Sequence, residues 1–293
     1  MTLNTTKVNT DGTTLEKKLF DAIMNGAVEQ HLLLPLISNV SSQFNPGTKS
    51  FEVFQWGQTG TPGNTPEDGN EISGSSMPIY SDEVACDQDK IIAFYEYDKA
   101  TYLSAVNYAA GFMGSAGFQF ARLMETYVAG LMRTAAEDAL VCKGALGQEL
   151  NEENLEDLAI AMDDAKLPKE GRRLIVTPRQ KHALIRAFNL KDAGVAGGTG
   201  ELRNAFISRL YGFDIYEGNT NILPVADANQ ALAFVSSACW WGLGINPTVE
   251  RERQATKART AYTVRARYGA KVNELPDADN TAQTKIWLVG KDV

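Results

Sequence analysis

The sequence predicts an α+β protein, because helical and strand patterns occupy largely separate stretches of its 293 residues. Apolar side chains recur in steps of three and four over about 101–142, which is typical of a long helix. The period is two from Lys49 onward and again after Val249, which is typical of strands. Between these regions shorter helices and strands alternate, so we expect a compact α/β unit there.

A composition of 44% hydrophobic and 22% charged residues is typical of a globular protein with a sizeable core. No apolar run approaches the roughly 20 residues that span a bilayer, and the first residues lack the basic and apolar regions of a signal peptide. We therefore expect a cytosolic protein with no membrane partner. The formal net charge of −8 argues against tight binding to a nucleic-acid backbone, although an acidic protein can still enclose nucleic acid.

An extended arm of two strands is predicted before the long helix. One strand pattern begins at Lys49, and a second runs from Val84 to about Tyr97. The stretch between them, 57–78, is rich in Gly, Pro, Thr and Ser and cannot form a core. Since an isolated two-stranded hairpin is only marginally stable in water, the arm is expected to lean on a surface outside its own domain.

Two helices are predicted in the first half of the chain. A capping box opens the first, over about 14–31. The long helix should break or kink between Gly111 and Gly117, which leaves one helix over about 116–141, roughly 39 Å long at 1.5 Å per residue. Its apolar seam consists of Val106, Ala110, Met113, Gly117, Phe120, Met124, Val128, Leu131, Ala135 and Ala139.

The middle of the chain alternates caps, helices and short strands. Asn151 is expected to cap a helix, because its side chain can accept from a free N–H of the first turn. A short buried strand follows from Arg172 to Val176, and Thr177 and Pro178 then open a helix that ends near Phe188. Further strands are predicted from Phe206 to Tyr216, from Ala231 to Ser237 and from Lys285 to Val289.

The stretch from Val249 to Tyr268 carries a basic stripe. As a single strand, it places six cations on its odd-numbered face: Arg251, Arg253, Lys257, Arg259, Arg265 and Arg267. The arm carries the opposite charge, in Glu67, Asp68, Glu71, Asp82, Glu83, Asp87 and Asp89. We hypothesise that the acidic arm and the basic strand pair as an interface between neighbouring copies. The alternative is two solvated faces that never meet.

No pattern in the sequence predicts a catalytic residue, a metal site or a cofactor. His31 and His182 lack the spacing of a metal-binding pair, and Cys86, Cys142 and Cys239 lie far apart. We therefore expect structural histidines and free, largely buried thiols. The glycine-rich stretch GVAGGTG follows a helix and matches neither common nucleotide-binding motif, so a flexible connector is expected.

The order of these elements resembles that of the major capsid proteins of tailed bacteriophages, which share the Hong Kong ninety-seven fold. The most specific match, LEDLAIAMDDAKLPKEGRRLIVTPRQKHALI, is similar to the family's axial-domain pattern, with Arg172 and Pro178 in place. YGFDIYEGNTNILP resembles the strand and loop that follow. The resemblance implies an N-arm (1–46), an extended E-loop (47–99), a peripheral domain with the spine helix (100–150), an axial domain (151–246) and a return to the peripheral domain (247–293).

The resemblance implies a structural protein that forms pentamers and hexamers of an icosahedral phage head around double-stranded DNA. Its expected partners are further copies of itself, a separate scaffolding protein, a portal and in some heads a decoration protein; its expected location is the virion, after assembly in the host cytoplasm. No Lys–Asn crosslink between subunits is expected. The alternatives are the shell of an encapsulin-like bacterial compartment and, from a different class, a cytosolic α/β enzyme.

Overall fold

The computed structural model describes residues 33–43, 49–56, 79–98, 108–138, 142–143, 150–187, 206–218, 230–274 and 285–289. The predicted first helix (14–31), the arm tip (57–78) and the glycine-rich connector (189–205) lie outside them. The helices are α1 (Leu33–Leu36), α2 (Tyr108–Asp138), α3 (Glu152–Asp164) and α4 (Pro178–Ala187). The strands are β1 (Ser38–Asn39), β2 (Ser50–Trp56), β3 (Ile79–Ala85), β4 (Gln88–Tyr97), β5 (Cys142–Lys143), β6 (Arg172–Val176), β7 (Phe206–Leu210), β8 (Phe213–Glu217), β9 (Ala231–Val235), β10 (Cys239–Gln254), β11 (Arg259–Val272) and β12 (Ile286–Val289).

Three sheets organise the described part of the chain. A four-stranded sheet has the order β1-β10-β11-β4, and its long strands β10 and β11 form an antiparallel hairpin. A six-stranded sheet has the order β5-β12-β9-β6-β8-β7 and lies in the predicted α/β unit. Strands β2 and β3 form a separate antiparallel pair, which we call the arm. A continuous cluster of buried apolar side chains joins α2, α3 and the two larger sheets.

Helix α2 runs without interruption for 31 residues, about 46 Å at 1.5 Å per residue. The break predicted between Gly111 and Gly117 is therefore wrong, and the kink predicted as its alternative stays a prediction. Each glycine costs about 1 kcal/mol relative to alanine in a helix interior, whereas each large apolar side chain that α2 buries contributes about 1.5–3 kcal/mol. The predicted seam is confirmed at Phe120, Met124 and Val128, but near the end of the helix the buried row continues to Met132 and Ala136.

The predicted caps of the middle region are confirmed. Asn151 Oδ1 accepts a hydrogen bond from the Asn154 N–H at 2.8 Å, and α3 begins at the next residue. Thr177 Oγ1 accepts from the Gln180 N–H at 3.3 Å, and Pro178 is the first residue of α4. The predicted strands at Arg172–Val176, Ala231–Ser237 and Lys285–Val289 are present as β6, β9 and β12, whereas the stretch predicted from Phe206 to Tyr216 turns at Tyr211 and Gly212 and forms the β7–β8 hairpin.

The prediction that one strand from Val84 to Tyr97 forms the second half of the arm is wrong. Only β3 belongs to the arm, whereas β4 pairs with β11 over ten residues. Ile92 and Phe94 of β4 pack against the main core, and this burial explains why the segment joins the large sheet. The arm therefore ends at Ala85, where the chain turns into the body of the protein.

The single strand predicted from Val249 to Tyr268 is also wrong. The chain reverses through a 3-10 turn over Ala255–Lys257, and Ala258 then has a φ of 45°, in the left-handed region. The turn contains no glycine, proline, asparagine or aspartate, so the strand pattern of the sequence passes through it without a break. The segment is a hairpin of β10 and β11 instead.

Candidate inter-subunit surfaces

The arm has one half-buried face and one exposed face. Seven residue pairs join its strands, from Ser50 with Ala85 to Trp56 with Ile79. On the exposed face, Phe54 and Ile79 leave 59% and 55% of their surfaces open to solvent. Among the described residues no second layer covers this side of the strand pair, so the two large apolar groups form a surface that gains from being covered.

The exposed face of the arm also brings two carboxylates together. Glu52 and Glu83 are direct cross-strand partners, and both are exposed. Like charges directly opposite each other destabilise a strand pair. The described residues of the two strands place no cation on this face, so it combines apolar groups with net negative charge.

The root of the arm crosses the four-stranded sheet at very close range. A Cβ on Gly269 would lie 2.0 Å from the Ala85 carbonyl oxygen, and a Cβ on Gly244 would lie 2.8 Å from Cys86 Sγ. Glycine is required at both positions because any other residue would place an atom where the arm passes. A small apolar cluster surrounds the crossing and consists of Val40, Val84, Cys86 and Trp240.

Polar contacts hold the same crossing within one chain. Lys271 Nζ donates to the Asp82 carboxylate at 2.5 Å, and Arg267 Nε donates to the Cys86 carbonyl at 2.8 Å. Asp82, one of the predicted interface acids, therefore has a basic partner in its own chain. The arm is therefore anchored to the four-stranded sheet at its root.

The four-stranded sheet has two different faces. Even-numbered side chains of β11 from Thr260 to Ala270 are buried, and α2 packs on this side, where Tyr127 contacts the edge of Tyr268 with ring centroids 5.9 Å apart. Direct partners in β4 and β11 carry numbers of the same parity. Their odd-numbered side chains therefore form the opposite face, which we call the outer face.

The outer face carries exposed apolar and aromatic groups beside a cation. Ile91 and Tyr95 of β4 leave 61% and 43% of their surfaces exposed. The Arg259 guanidinium carbon lies 3.8 Å from the Tyr95 ring centroid, within the range of a cation–π contact, and its Nε donates to Gln254 Oε1 at 2.7 Å. This end of the sheet lies at the opposite end of β11 from the crossing at Gly269.

The prediction that all six cations share one face is wrong. Because the chain reverses between β10 and β11, Arg251 is the cross-strand partner of Tyr262, and Arg253 is the partner of Thr260. Cross-strand partners point to the same side of a sheet. Arg251 and Arg253 therefore lie on the α2 side and Arg259, Arg265 and Arg267 on the outer face, with Lys257 in the turn between them.

Two ion pairs connect the hairpin to the end regions of β4. Arg265 donates from two guanidinium nitrogens to the Asp89 carboxylate, with Nε 3.0 Å from Oδ1. Arg253 makes the same kind of paired contact with Asp98, at 2.6 Å for both bonds. These hydrogen bonds hold the pKa of each aspartate below its usual range. Both pairs are exposed, so salt screens them and they fix geometry more than they add stability.

The structure places the remaining predicted interface residues as follows. Glu67, Asp68 and Glu71 lie outside the described residues. Glu83, Arg251 and Lys257 are exposed. Contacts between the acidic and basic sets occur within one chain at Asp89 with Arg265, and their role between copies stays a prediction.

The described residues show no arrangement typical of a catalytic or metal centre. No group of three His, Cys, Asp or Glu side chains among them lies close enough to hold a metal ion. Cys86 and Cys239 are buried free thiols, and burial raises the pKa of Cys86 and raises that of Cys239 to about 12, so both stay protonated near neutral pH. Within the described ranges, no helix has the length and apolar character needed to cross a bilayer.

Solved structures of phage capsids share this architecture along nearly the whole chain. The capsid structure of cyanophage P-SCSP1u matches with a TM-score of 0.65 at 14% identity, over 90% of this chain and 89% of that chain. The capsid of Ralstonia phage GP4 matches with a TM-score of 0.62 at 14% identity, over 87% and 86%. A chain from Mycobacterium phage Bobi matches with a TM-score of 0.65 at 15% identity, over 91% and 92%.

No model of a known protein family matches the sequence, and neither does any curated protein. The structural matches confirm the predicted fold class: the chain has the α+β fold of solved phage capsid structures, with the long helix, the sheets and the arm in the predicted order. The resemblance drawn from the order of elements is therefore correct at the level of the fold.

Proposed function

We propose that this chain is the major capsid subunit of a tailed phage, a structural protein without a catalytic site. Copies of it form pentamers and hexamers that close into an icosahedral shell around double-stranded DNA. The observation that carries the proposal is the match to capsid chains over about nine-tenths of both partners. A fold alone permits many functions, so the exposed apolar face of the arm is taken as the second support for assembly.

The arm supports this function on physical grounds. Phe54 and Ile79 are exposed on a strand pair that no other element of the described residues covers on that side. Covering one such side chain contributes about 1.5–3 kcal/mol. A neighbouring copy can supply that cover at every position of a closed shell, so each subunit becomes more stable when it is assembled.

Charged residues of the arm and of the β10–β11 hairpin form the proposed inter-subunit surfaces. The acids are Glu67, Asp68, Glu71, Asp82 and Glu83, and the cations are Arg251, Arg253, Lys257, Arg259, Arg265 and Arg267. Since several of these groups already have partners within the chain, their contacts between copies set register and salt dependence more than the total free energy of assembly.

Partners and location follow from the same proposal. A separate scaffolding protein and a portal take part in assembly in the host cytoplasm, a decoration protein binds some heads, and the mature location is the virion. The subunit encloses DNA without reading its sequence, in keeping with the net charge of −8. The ranges 1–46, 47–99, 100–150, 151–246 and 247–293 serve as N-arm, E-loop, peripheral domain with spine helix, axial domain and return to the peripheral domain.

Electron microscopy and light scattering of the expressed chain, alone and with neighbouring phage genes, test the function. Closed shells that hold nuclease-protected DNA when the phage genes are present are the expected result. A uniform small oligomer under all assembly conditions would contradict a capsid role. Shells that hold a protein cargo and no DNA would assign the chain to a bacterial compartment instead.

A further inference from the structure

Strand β4 forms a long edge of the four-stranded sheet that no other described strand covers. It lies at the end of the four-stranded sheet and pairs along one side with β11, from Gln88 to Tyr97, without a register shift. It contains no proline. Soluble proteins normally guard such an edge with a bulge, a proline or a covering element, because its unpaired backbone groups can bind another strand. Among the described strands, none pairs with the other side of β4.

The open edge of β4 has a defined set of backbone groups. The Asp98 N–H donates to the Ala258 carbonyl at 3.1 Å, which continues the β4–β11 ladder. In an antiparallel ladder alternate residues bond to one neighbour, so even-numbered residues of β4 bond to β11 and odd-numbered residues point their N–H and C=O to the open edge. Ile91, Ala93 and Tyr95 are such residues, and their side chains lie on the exposed outer face.

Strand β2 of the arm presents the matching geometry. The Cys86 N–H donates to the Lys49 carbonyl at 2.8 Å, so odd-numbered residues of β2 bond to β3. The even-numbered residues, among them Glu52 and Phe54, direct their backbone groups away from β3, and their side chains lie on the exposed face. The outer side of β2 also has no strand partner among the described residues.

We propose that the open edge of β4 is a docking site for strand β2 of a second copy of this chain, which joins the four-stranded sheet as a fifth strand. In this pairing, the hydrogen-bonded residues of both strands are the ones with exposed side chains. Phe54 of one copy therefore comes to lie beside Ile91 or Tyr95 of the other, and all three lose exposed apolar surface. The inference rests on the proposed assembly function and specifies the contact that builds it.

Charge favours this partner. The exposed face of the arm carries Glu52 and Glu83, whereas β4 and β11 place Arg259, Arg265 and Arg267 on the outer face against the single acid Asp89. The contact therefore joins a negative strip to a positive one. Farther across the outer face, Glu250 and Glu252 of β10 repel the arm carboxylates and confine the contact to the β4 side.

Symmetry favours the same partner over a second β4. Pairing of β4 with β4 would bring two positive strips together and would close a two-fold dimer with no free β4 edge left. Pairing of β2 with β4 uses different surfaces on the two copies. Each pair leaves one β2 edge and one β4 edge free, so the contact can continue from copy to copy. Rings and shells need the second kind of contact.

A proline at Ala93 tests the pairing. Ala93 is exposed, and its N–H points to the open edge. Ala93→Pro therefore removes a hydrogen-bond donor from the edge but keeps the β4–β11 ladder. Edge positions whose N–H points away from the sheet are among the few strand positions that accept proline. The matched control, Ala93→Thr, keeps the N–H and sits beside its cross-strand partner Thr263. We expect Ala93→Pro to lower the yield of assembled particles by at least about tenfold and Ala93→Thr to assemble like the wild type.

Hydrogen exchange on the wild-type chain provides a second readout that does not depend on a variant. Amides of odd-numbered β4 residues from Asp89 to Tyr95 should exchange fast in dilute subunits and at least about tenfold more slowly in assembled particles. Even-numbered amides should be protected in both states. Slow exchange of both sets in dilute subunits would mean that this chain already covers the edge, and the pairing would be excluded.

The outcomes separate the pairing from the proposed function. If the wild type forms shells and Ala93→Pro forms them equally well, the edge contact is wrong and the capsid role stands. If a variant with Phe54→Asp still forms dimers that protect the odd-numbered amides, β4 pairs with β4 and this proposal is overturned. If the wild type stays monomeric at all concentrations, both the function and the pairing fail.

Discussion

Gly269 is the residue at which a side chain conflicts most directly with the fold. A Cβ there would lie 2.0 Å from the Ala85 carbonyl oxygen, which belongs to backbone and cannot rotate away. We expect Gly269→Ala to lower the free energy of unfolding by at least about 1–3 kcal/mol, as overpacking does, in denaturant titrations. Gly130→Ala is the control: it is an exposed helical position with nothing within 4 Å, and alanine should raise stability by about 0.5–1 kcal/mol. Equal effects at both sites would contradict the close crossing.

Asp163 makes stability depend on pH. The buried Arg172 guanidinium donates to its carboxylate at 2.7 Å, and this hydrogen bond holds the pKa of Asp163 below its usual range. A lowered folded-state pKa means stability that is present above the unfolded-state pKa, about 3.9, and is lost as pH falls through the folded-state value. Asp163→Asn should therefore destabilise the protein at pH 7, and its deficit should shrink in acid.

Thermal unfolding between pH 7 and pH 2 measures this effect. The neighbouring Asp164→Asn serves as control, because Asp164 is exposed and forms no ion pair with Arg172. A constant difference between wild type and Asp163→Asn across this range would show that the ion pair does not contribute to acid sensitivity.

Single residues could be predicted from sequence where their partners are near in the chain. Asn151 and Thr177 act as caps because the N–H groups they bind lie three residues away. Arg265 and Asp89 are separated by 176 positions, and a strand pattern does not identify its partner. The aromatic neighbours of Arg259 were missed for the same reason, because Ile92 and Phe94 interrupt any apolar–polar alternation in the stretch that carries Tyr95 and Tyr97.

At the scale of elements, the β10–β11 hairpin depends on a turn with unfavourable chemistry. Ala258 has a φ of 45°, and a residue with a Cβ pays roughly 1–2 kcal/mol for this conformation. We expect Ala258→Gly to raise the free energy of unfolding by up to about 1 kcal/mol, since glycine removes that cost but loses more chain entropy. Ala255→Gly, in the 3-10 turn, is the control and should lower stability. A loss of stability in Ala258→Gly would argue against the left-handed conformation.

The same hairpin shows why elements were harder to predict than caps. Periodicity of two predicted strands on both sides of residue 255, but without a turn residue it could not reveal that the chain reverses, and every assignment of faces beyond that point changed. Helix α2 shows the converse: local propensity predicted a break, and tertiary packing removed it.

At the scale of the whole molecule, charge reversal tests the proposed interface acids and cations together. One variant reverses three cations, Arg251, Arg253 and Arg259, to Glu, and the other reverses three acids, Glu67, Asp68 and Glu71, to Lys. Each should lower the assembled fraction by at least about tenfold, because like charges across an interface cost several kcal/mol. The combined variant should assemble better than either of the two. High salt should reduce the loss of assembled fraction in each charge-reversal variant.

Light scattering at several salt concentrations measures the assembled fraction. Arg253 also holds Asp98 within the chain, so unfolding of each isolated subunit must be compared to separate folding from assembly. A combined variant that assembles no better than its parents would show that these charges do not face each other.

The architecture was predictable because it depends on order. The sequence predicts the arm, the long helix, the mixed unit and the final strands in the order that the structure has, and solved phage capsid chains match this fold at identities of 14–15%. The placement of charges on faces was not predictable, since it depends on registers between strands that are far apart in sequence.

The crossing at Gly244 and Gly269 has a mechanical consequence. A carbonyl oxygen and a sulfur atom occupy the space that a Cβ would need at each glycine, and Lys271 forms an ion pair with Asp82 beside them. The base of the arm therefore cannot rotate on the sheet. In the proposed shell, subunits around five-fold and six-fold axes meet at different tilts. Under that proposal the adjustment comes from farther along the arm, toward Trp56 and Ile79, so stiffening that distal portion should restrict the curvatures of the assembled particles.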